Sequence, residues 1–301
     1  MKNNTVFRRI ALMGRHHTNH IGDTLLALYE FLTAQHYPVV CDPETAARMS
    51  CAIQTVPLDT LHEHADLLIV VGGDGSLLQA AKIAVAQSLP VLGVNRGRLG
   101  FLTDIYPQEL EIITQVLQGD YQEERRFLLQ SEIRHQNTAL SRIEALNEIV
   151  LSPGNVSHMI DFEINVDGQF VCDLRADGLI VATPTGSTAY ALSGGGPILH
   201  PALNAMVLVP MFPHTLSNRP LVISSDSQLR IDITLNNEAV PFVSGDGQKR
   251  TPIALGDSLT IQKAQQALRL IHPRSYQYFQ TLRSKLGWQN KNPGNEKREK
   301  I

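Results

Sequence analysis

The feature that most constrains the fold is a run of five apolar residues, Leu67–Val71, that ends at a glycine-rich turn. The turn, residues 72–76, reads Gly-Gly-Asp-Gly-Ser, and a helical pattern of apolar residues follows it directly. Strands that are covered by helices on both faces have such uninterrupted apolar sequences. The segment therefore predicts a buried parallel strand, a tight turn at its carboxyl end and a helix.

The rest of the first third of the chain repeats this alternation of strand and helix. A helical pattern begins near Leu25, and Asp23 is predicted as its N-cap. Further apolar strand patterns lie at residues 10–13, 39–41 and 90–94. Strands that alternate with helices are typical of a parallel α/β sheet. We therefore predict an α/β nucleotide-binding domain over residues 1–125.

Beyond residue 125 the apolar pattern changes to a period of two. Apolar residues alternate with polar ones over 160–166 and again over 229–235, and Asp167-Gly168 supplies a hairpin turn. This alternation predicts an all-β, sandwich-like second domain over residues 126–272.

The C-terminal segment has two parts. A helical pattern over residues 273–288 is expected to pack back on the first domain, and it ends at Gly287. Residues 289–301 are rich in Asn, Lys and Glu and are expected to form a disordered tail.

Composition excludes several classes of protein. Lys and Arg total 26 and Asp and Glu total 29, giving a formal net charge of −3, whereas dedicated nucleic-acid binders usually carry a basic excess. No run approaches the ~18 apolar residues of a membrane span, and no signal peptide is recognisable. The three cysteines form no Cys-x-x-Cys pair. We expect a cytoplasmic protein without a nucleic-acid or membrane partner.

The glycine turn after the first buried strand has the composition of a phosphate-binding turn. Gly72, Gly73 and Gly75 let the backbone approach a phosphate, and the helix N-terminus that begins near Ser76 favours its charge. Asp74 would repel phosphate, so its carboxylate is interpreted as a base for a hydroxyl, as a magnesium partner, or as both. The alternative is a surface turn in which Asp74 only caps the helix. Neither a P-loop nor a Gly-x-Gly-x-x-Gly motif is present, and the sequence identifies no metal ligands.

Two further segments are unusual for a β-rich domain. Residues 175–197 contain a loop dense in Thr, Ser and Gly, whose hydroxyls and N–H groups could bind sugar hydroxyls, amides or phosphates; a glycine-rich connector is the alternative. Asn147 and Glu148 interrupt an apolar strand, and an amide beside a carboxylate can hold vicinal ribose hydroxyls. A bulge or an edge-strand pair that faces water is the alternative. Residues 245–247, Gly-Asp-Gly, are interpreted as a hairpin turn.

Taken together, these segments resemble the bacterial ATP-dependent NAD kinases. The matching motifs are Gly-Gly-Asp-Gly at 72–75, Asn-Arg-Gly at 95–97 with Gly-Phe-Leu at 100–102, Asn-Glu at 147–148, and residues 177–197. Lipid kinases and phosphofructokinases share the first motif, whereas Thr-Pro-Thr-Gly-Ser-Thr-Ala-Tyr from Thr183 is highly specific. The resemblance extends over nearly the whole chain.

The resemblance implies an activity. Members of this family transfer the γ-phosphoryl group of ATP, or polyphosphate in some cases, to the adenosine 2′-hydroxyl of NAD, and Asp74 matches their proton acceptor. It also implies a divalent cation, Mg²⁺, that accompanies ATP, and a homo-oligomer, dimer or tetramer, whose sites borrow residues from a neighbour. A lipid kinase or a non-catalytic NAD sensor on the same fold are the rival interpretations.

The resemblance further implies a set of contacts with NAD. Asn147 and Glu148 match the pair at the nicotinamide-side ribose, Asp177 a carboxylate at the nicotinamide end, and Phe101 an adenine-stacking position. The full predicted set is Asp74, Gly75, Phe101, Asn147, Glu148, His158, Arg175, Asp177, Thr188, Ala189, Tyr190, Ala191, Leu192, Ser193 and Gln248.

Overall fold

The structure is a computed structural model. It describes residues 6–14, 21–95, 100–136, 138–154 and 158–288. The predicted disordered tail, 289–301, lies outside the described residues, and so do Arg96 and Gly97 of the family motif.

The chain divides into two compact units, and the first of them is made of two separate stretches of the sequence. Unit 1 comprises Met1–Glu124 together with Arg269–Ile301, and unit 2 comprises Arg125–Leu268. The boundaries predicted from the sequence lie after residues 125 and 272. The C-terminal segment thus belongs to unit 1, and the change of unit falls within a strand.

The first part of unit 1 forms a parallel sheet. Its strands are β1 (Ile10–Gly14), β2 (Val39–Cys41), β3 (Gln54–Thr55), β4 (Leu67–Val71) and β5 (Val91–Val94). They lie in the order β5-β4-β1-β2-β3. Every residue of β1, β4 and β5 is buried, which confirms the prediction that β4 is a strand covered on both faces.

Helices connect these strands. They are α1 (Ile21–Ala34), α2 (Pro43–Ala46), α3 (Leu61–His64), α4 (Asp74–Ala86) and α5 (Leu110–Leu117), with a 3₁₀ turn at Leu58–Thr60. The prediction that Asp23 caps α1 is wrong, because the helix has already begun at Ile21. Asp23 lies in the first turn instead, where the helix dipole favours a carboxylate.

Unit 2 is built from antiparallel strands. They are β6 (Tyr121–His135), β7 (Thr138–Ala145), β8 (Glu148–Ser152), β9 (Ile160–Val166), β10 (Gln169–Ala176), β11 (Gly178–Ala182), β12 (Ala205–Met211), β13 (Leu221–Ser224), β14 (Leu229–Ile233), β15 (Phe242–Gly245), β16 (Thr251–Pro252) and β17 (Ser258–Pro273). One sheet has the order β10-β9-β14-β17-β6-β7, and the other has the order β13-β12-β11-β8-β15-β16. The first residues of β6 and the last of β17 already belong to unit 1.

The core of unit 2 lies between its two sheets. Phe162 and Ile231 from one sheet pack in one cluster with Leu151 and Val181 from the other. This confirms the predicted sandwich-like domain. The second sheet also has a covered outer face, where Ile180 packs with residues of the 183–203 segment. Burial on both faces explains why β11 reads as a continuous apolar run.

The predicted period of two in unit 2 is confirmed with one exception. Strands β9 and β14 bury alternate residues, but Leu235 lies beyond the end of β14 and is 75% exposed. The predicted hairpin turn joins β9 to β10, with φ of 53° at Asp167 and 76° at Gly168. Positive φ at both central residues is the geometry that Asp-Gly favours in two-residue hairpins.

The chain returns to unit 1 at the end of β17. Leu270 and Ile271 pair in parallel with Val91 and Leu92 of β5. Helix α7 (Tyr278–Leu286) follows and ends, as predicted, at Gly287, which adopts a φ of 69°. Within the described part of the chain, no helix has the length and apolarity to cross a membrane.

Candidate active site

The Asp74 carboxylate is turned away from its own helix. Gly73 occupies the N-cap position of α4 and Asp74 is the first helical residue. The Asp74 carboxylate accepts hydrogen bonds from the N–H of Phe101 at 2.9 Å and from the N–H of Leu102 at 3.0 Å. The alternative that Asp74 only caps the helix is therefore wrong, because its two oxygens bind a loop that lies 27 and 28 residues further along.

A glycine makes this contact possible. A Cβ added at Gly100 would lie 1.9 Å from Oδ1 of Asp74, so no larger residue fits there without moving the carboxylate. Asp74 is half-buried. Each carboxylate oxygen can accept more than one hydrogen bond, so the two N–H groups leave acceptor capacity for a substrate hydroxyl.

The turn before Asp74 has the backbone that a phosphate site needs. Gly72 adopts a φ of 151°, and its N–H donates to the carbonyl of Val94 at 2.9 Å. Gly73 and Gly75 are exposed, and a Cβ added at Gly73 would meet no atom of the described residues within 4 Å. Ser76 is buried and its N–H donates to Gly73, so an anion would meet the preceding N–H groups of the turn.

Asn147 and Glu148 lie at the start of a central strand of unit 2. Strand β8 lies between β11 and β15, so the alternative that this pair faces water from an edge strand is wrong. Glu148 is only 6% exposed, and its Oε2 makes no hydrogen bond to the described residues. A ligand hydroxyl that donates to this oxygen would remove an unfavourable burial.

The pKa of Glu148 is far from its ordinary value. Burial of the carboxyl and, to a smaller extent, the charge of Asp246 raise the pKa to about 7, although the hydrogen bond from the backbone N–H of Tyr190 lowers it. Glu148 is therefore a carboxyl group that titrates near neutral pH. Perturbed carboxyl groups of this kind are concentrated at functional sites.

The Thr- and Ser-rich segment is a folded platform rather than an open loop. It forms a 3₁₀ turn at Gly186–Thr188 and the short helix α6 (Tyr190–Ser193). The hydroxyl of Thr183 donates to the carbonyl of Leu146 at 2.6 Å, and that of Ser187 donates to the carbonyl of Pro184 at 2.7 Å. These two hydroxyls hold the segment together, so they are not available to a ligand.

The predicted contacts in this segment differ in exposure. Tyr190 and Ser193 are exposed, whereas the side chain of Ala191 is fully buried in the cluster on the outer face of the second sheet. The half-buried members are Thr188, Ala189 and Leu192. A cavity of about 620 Å³ lies beside Tyr190 and Ser193.

The structure brings two other predicted residues, His158 and Arg175, into one cavity of about 900 Å³ in unit 2. His158 Nδ1 lies 2.9 Å from Glu238 Oε2, and Arg175 Nε lies 4.0 Å from Asp161 Oδ1. Asp177 is half-buried where β10 meets β11. Its N–H donates to the carbonyl of Met211 at 2.9 Å.

The sequence analysis missed one residue of this region, Asp246. It was interpreted only as part of a hairpin turn, and the turn is present, with φ of 52° at Asp246 and 65° at Gly247. The Asp246 carboxylate, however, accepts hydrogen bonds from the backbone of residues 146–148. The predicted contact Gln248 lies two positions after Asp246 and is exposed. No local signal could have revealed a partner that lies about 100 positions away in the chain.

The described residues contain no cluster of three or more His, Cys, Asp or Glu side chains that could hold a metal ion. Asp74, Gly75 and Phe101 belong to unit 1, and the other predicted contacts belong to unit 2.

Family models match both units. Residues 11–121 match the ATP-NAD kinase N-terminal domain, and residues 146–273 match the ATP-NAD kinase C-terminal domain. An NAD kinase of Coxiella burnetii (strain RSA 493 / Nine Mile phase I) is 55% identical over 287 residues, covering 95% of this chain and 96% of its own. An NAD kinase of Pseudomonas entomophila is 51% identical over 284 residues, covering 94% and 96%.

Solved structures are similar to this chain as well. A yeast NADH kinase complexed with NADH superposes with a TM-score of 0.82 at 26% identity, covering 93% of this chain and 88% of its own. An NAD kinase from Archaeoglobus fulgidus in complex with ATP superposes with a TM-score of 0.69 at 26% identity, covering 92% and 99%.

Proposed function

This chain belongs to the ATP-NAD kinase family, and we infer that it transfers the γ-phosphoryl group of ATP, or of another phosphoryl donor, to the adenosine 2′-hydroxyl of NAD. The product is NADP. The observation that carries this inference is the match of both units, over nearly the full length of the chain, to proteins of this one activity.

Asp74 is our candidate for the proton acceptor. A ribose hydroxyl is a weak nucleophile at neutral pH, and phosphoryl transfer depends more on in-line positioning and charge stabilisation than on early deprotonation. The 2′-oxygen forms a bond to the γ-phosphorus while the bond to the leaving oxygen of ADP breaks. The proton of the hydroxyl passes to Asp74, whose orientation is fixed by the N–H groups of Phe101 and Leu102.

A divalent cation, Mg²⁺, is part of the proposal. Asp74 fits such an ion, because Mg²⁺ is usually held by one or two carboxylates together with substrate phosphates rather than by a cage of side chains. When bound, the ion would neutralise charge on the triphosphate. The exposed backbone at Gly73 and Gly75 would face the phosphates.

We propose that the other residues of the predicted set also contact NAD. Glu148 Oε2 is buried and makes no hydrogen bond to the described residues, which supports a role in accepting a hydrogen bond from a ribose hydroxyl. The exposure of Tyr190 and Ser193 beside a cavity supports contact along the dinucleotide. Phe101 is half-buried, and its ring would stack on adenine.

We further propose that the enzyme is a homo-oligomer, dimer or tetramer, in the cytoplasm. Phe212 and Leu216 are 80% and 91% exposed, and Leu221 and Val222 of the following strand are exposed as well. These four large apolar side chains lie within eleven positions of the sequence, and their exposure supports an association surface there. The three cysteines carry free thiols, which suits a reducing compartment. Light scattering coupled to gel filtration tests the assembly, and a monomer at all concentrations would contradict it.

A coupled assay tests the activity. Purified protein is incubated with NAD, ATP and magnesium, and NADP is read through an NADP-specific dehydrogenase. We expect NADP to form, and parallel reactions with NADH or polyphosphate establish the range of acceptors and donors. If no NADP forms while a lipid is phosphorylated, the lipid-kinase alternative replaces the proposal.

A further inference from the structure

The turn that contains Asp246 combines two unusual properties. Asp246 and Gly247 both have positive φ, 52° and 65°, which is the backbone of a tight turn that accepts Asp-Gly and Asn-Gly equally well. The side chain at 246 is nevertheless half-buried and points into the protein. The conformation of the turn therefore leaves open why this position carries a carboxylate rather than an amide.

The contacts of the carboxylate answer this question. Oδ2 accepts a hydrogen bond from the N–H of Leu146 at 2.9 Å, and Oδ1 accepts from the N–H of Asn147 at 2.8 Å and of Glu148 at 3.3 Å. The N–H of Asp246 donates in return to the carbonyl of Glu148 at 3.0 Å. Three consecutive N–H groups thus converge on one carboxylate, and both of its oxygens are needed as acceptors.

The same segment is held on its carbonyl side by the Thr- and Ser-rich platform. The hydroxyl of Thr183 donates to the carbonyl of Leu146 at 2.6 Å, and the N–H of Thr183 donates to the carbonyl of Asn147 at 2.9 Å. Gly186 approaches so closely that an added Cβ would lie 2.1 Å from the carbonyl oxygen of Asn147. Asp246 and the platform therefore fix the backbone of residues 146–148 from two sides.

We propose that Asp246 is a positioning residue for NAD: it fixes the backbone of residues 146–148 so that the side chains of Asn147 and Glu148 meet the ribose in a single geometry. Asp246 itself would not touch the dinucleotide. The same turn also sets the position of Gln248, whose N–H donates to the carbonyl of Gly245 at 3.0 Å. This inference rests on the proposed NAD kinase activity.

Asp246 also acts on Glu148 through its charge. The groups that act on the pKa of Glu148 are its burial, the carboxylate of Asp246 on the turn after β15, and the backbone N–H of Tyr190 at the start of α6. Removing the charge of Asp246 must lower the pKa of Glu148, since that charge raises it.

The experiment compares Asp246→Asn with Asp167→Asn. Asn keeps the favoured residue type of each turn, but at 246 it replaces one acceptor oxygen with an NH₂ group that faces a backbone N–H. Asp167 lies in a turn of the same type, is exposed, and accepts one hydrogen bond, from the N–H of Gln228 at 2.8 Å, which the Asn oxygen retains. Steady-state constants for NAD and ATP, and kcat/KM for NAD between pH 5.5 and 8.5, are measured for both variants and the unmodified enzyme.

For Asp246→Asn we expect KM for NAD to rise about tenfold, which corresponds to about 1.4 kcal/mol, with KM for ATP changed less than about twofold. We expect the acid limb of kcat/KM for NAD to lie near pH 7 in the unmodified enzyme, where Glu148 ionises, and at lower pH in Asp246→Asn. Asp167→Asn should match the unmodified enzyme. If KM for NAD stays unchanged, or if the acid limb does not move, the proposal is wrong.

Thr183→Val provides a second variant, should Asp246→Asn fold poorly. It removes the hydroxyl that holds the other side of the segment but leaves the charge of Asp246 in place. We expect a raised KM for NAD with the acid limb at its original pH; a KM for NAD equal to that of the unmodified enzyme would contradict the two-sided support. Failure of the unmodified enzyme to make NADP would instead overturn the proposed function itself.

Discussion

The carboxylate of Asp74 has two tasks that a single substitution can separate. It binds the N–H groups of Phe101 and Leu102, and it is the proposed proton acceptor. For Asp74→Asn we expect kcat to fall by ~10²–10⁴, the usual contribution of general base catalysis. The amide keeps only one of the two acceptors that hold the loop, so the affinity for NAD should fall, but far less than kcat. Turnover assays and calorimetric titration with NAD measure both quantities, and normal turnover would refute the role of Asp74.

The phosphate-binding turn can be tested with one methyl group. Alanine at Gly73 meets no described atom within 4 Å and needs no positive φ, so Gly73→Ala should fold normally. If a phosphate lies against this turn, the methyl group will obstruct it and KM for ATP should rise about tenfold, or about 1.4 kcal/mol. An unchanged KM for ATP would exclude close approach of the phosphate.

Gly100→Ala is the matched comparison for that variant. Its methyl group would lie 1.9 Å from Oδ1 of Asp74, so kcat should fall whether or not a phosphate is near.

The raised pKa of Glu148 implies that the ionised carboxylate proposed to bind NAD destabilises the folded protein. Its pKa is raised in the folded protein from 4.5 to about 7, so folding favours the protonated form. The ionised carboxylate therefore reduces stability as pH rises from 4.5 through 7, and the loss is complete above 7. Glu148→Gln should stabilise the protein at pH 8 by up to roughly 3 kcal/mol and have little effect near pH 4.5. Denaturant unfolding at the two pH values measures this; an equal gain at both would refute the assigned cause.

At the scale of secondary-structure elements, a buried histidine interacts with side chains from three segments of unit 1. His272, near the end of β17, is fully buried and hydrogen-bonds to Asp104, which follows β5. Its Nε2 lies 3.4 Å from Glu124 of β6, and its ring stacks on Tyr276 with centroids 3.9 Å apart. Burial alone lowers the pKa of His272, but the hydrogen bonds and charges of the two carboxylates raise it overall.

This arrangement also predicts that the stability of the protein falls as pH rises. At His272 the cause is the loss of a favourable positive charge, whereas at Glu148 it is the gain of an unfavourable negative charge. A raised pKa in the folded state contributes stability fully below the ordinary histidine value of 6.5, and that stability is lost as pH rises through the folded-state pKa. His272→Gln should lower stability by about 3–5 kcal/mol at pH 6, because two carboxylates lose their buried partner, and by less at alkaline pH. Thermal unfolding of both proteins from pH 6 to 9 checks this. Parallel curves would contradict it.

The sequence predicted those elements in which burial produces a regular pattern of apolar residues. Strand β4 is apolar throughout because both of its faces are covered, and β9 alternates because only one face meets the core. Helix α5 was not predicted although it buries Ile113, Val116 and Leu117, since its eight residues are fewer than a helical period needs to stand out. The glycine turn at 72–75 could be predicted because the residues that define it are consecutive in the sequence. Asp246 was not, because its partners come from a distant strand.

Unit 1 is discontinuous in sequence, and this has a consequence for how the protein must be made. Until Leu270 and Ile271 leave the ribosome, Val91 and Leu92 lack their parallel partners on the outer edge of β5, where Ile105 bridges Val94. At ~5–20 residues per second, translation of unit 2 takes on the order of ten seconds, during which an apolar strand edge stays open to pairing with other nascent chains. Chaperone shielding in that interval, rather than the final stability of the enzyme, would then limit the yield of newly made protein.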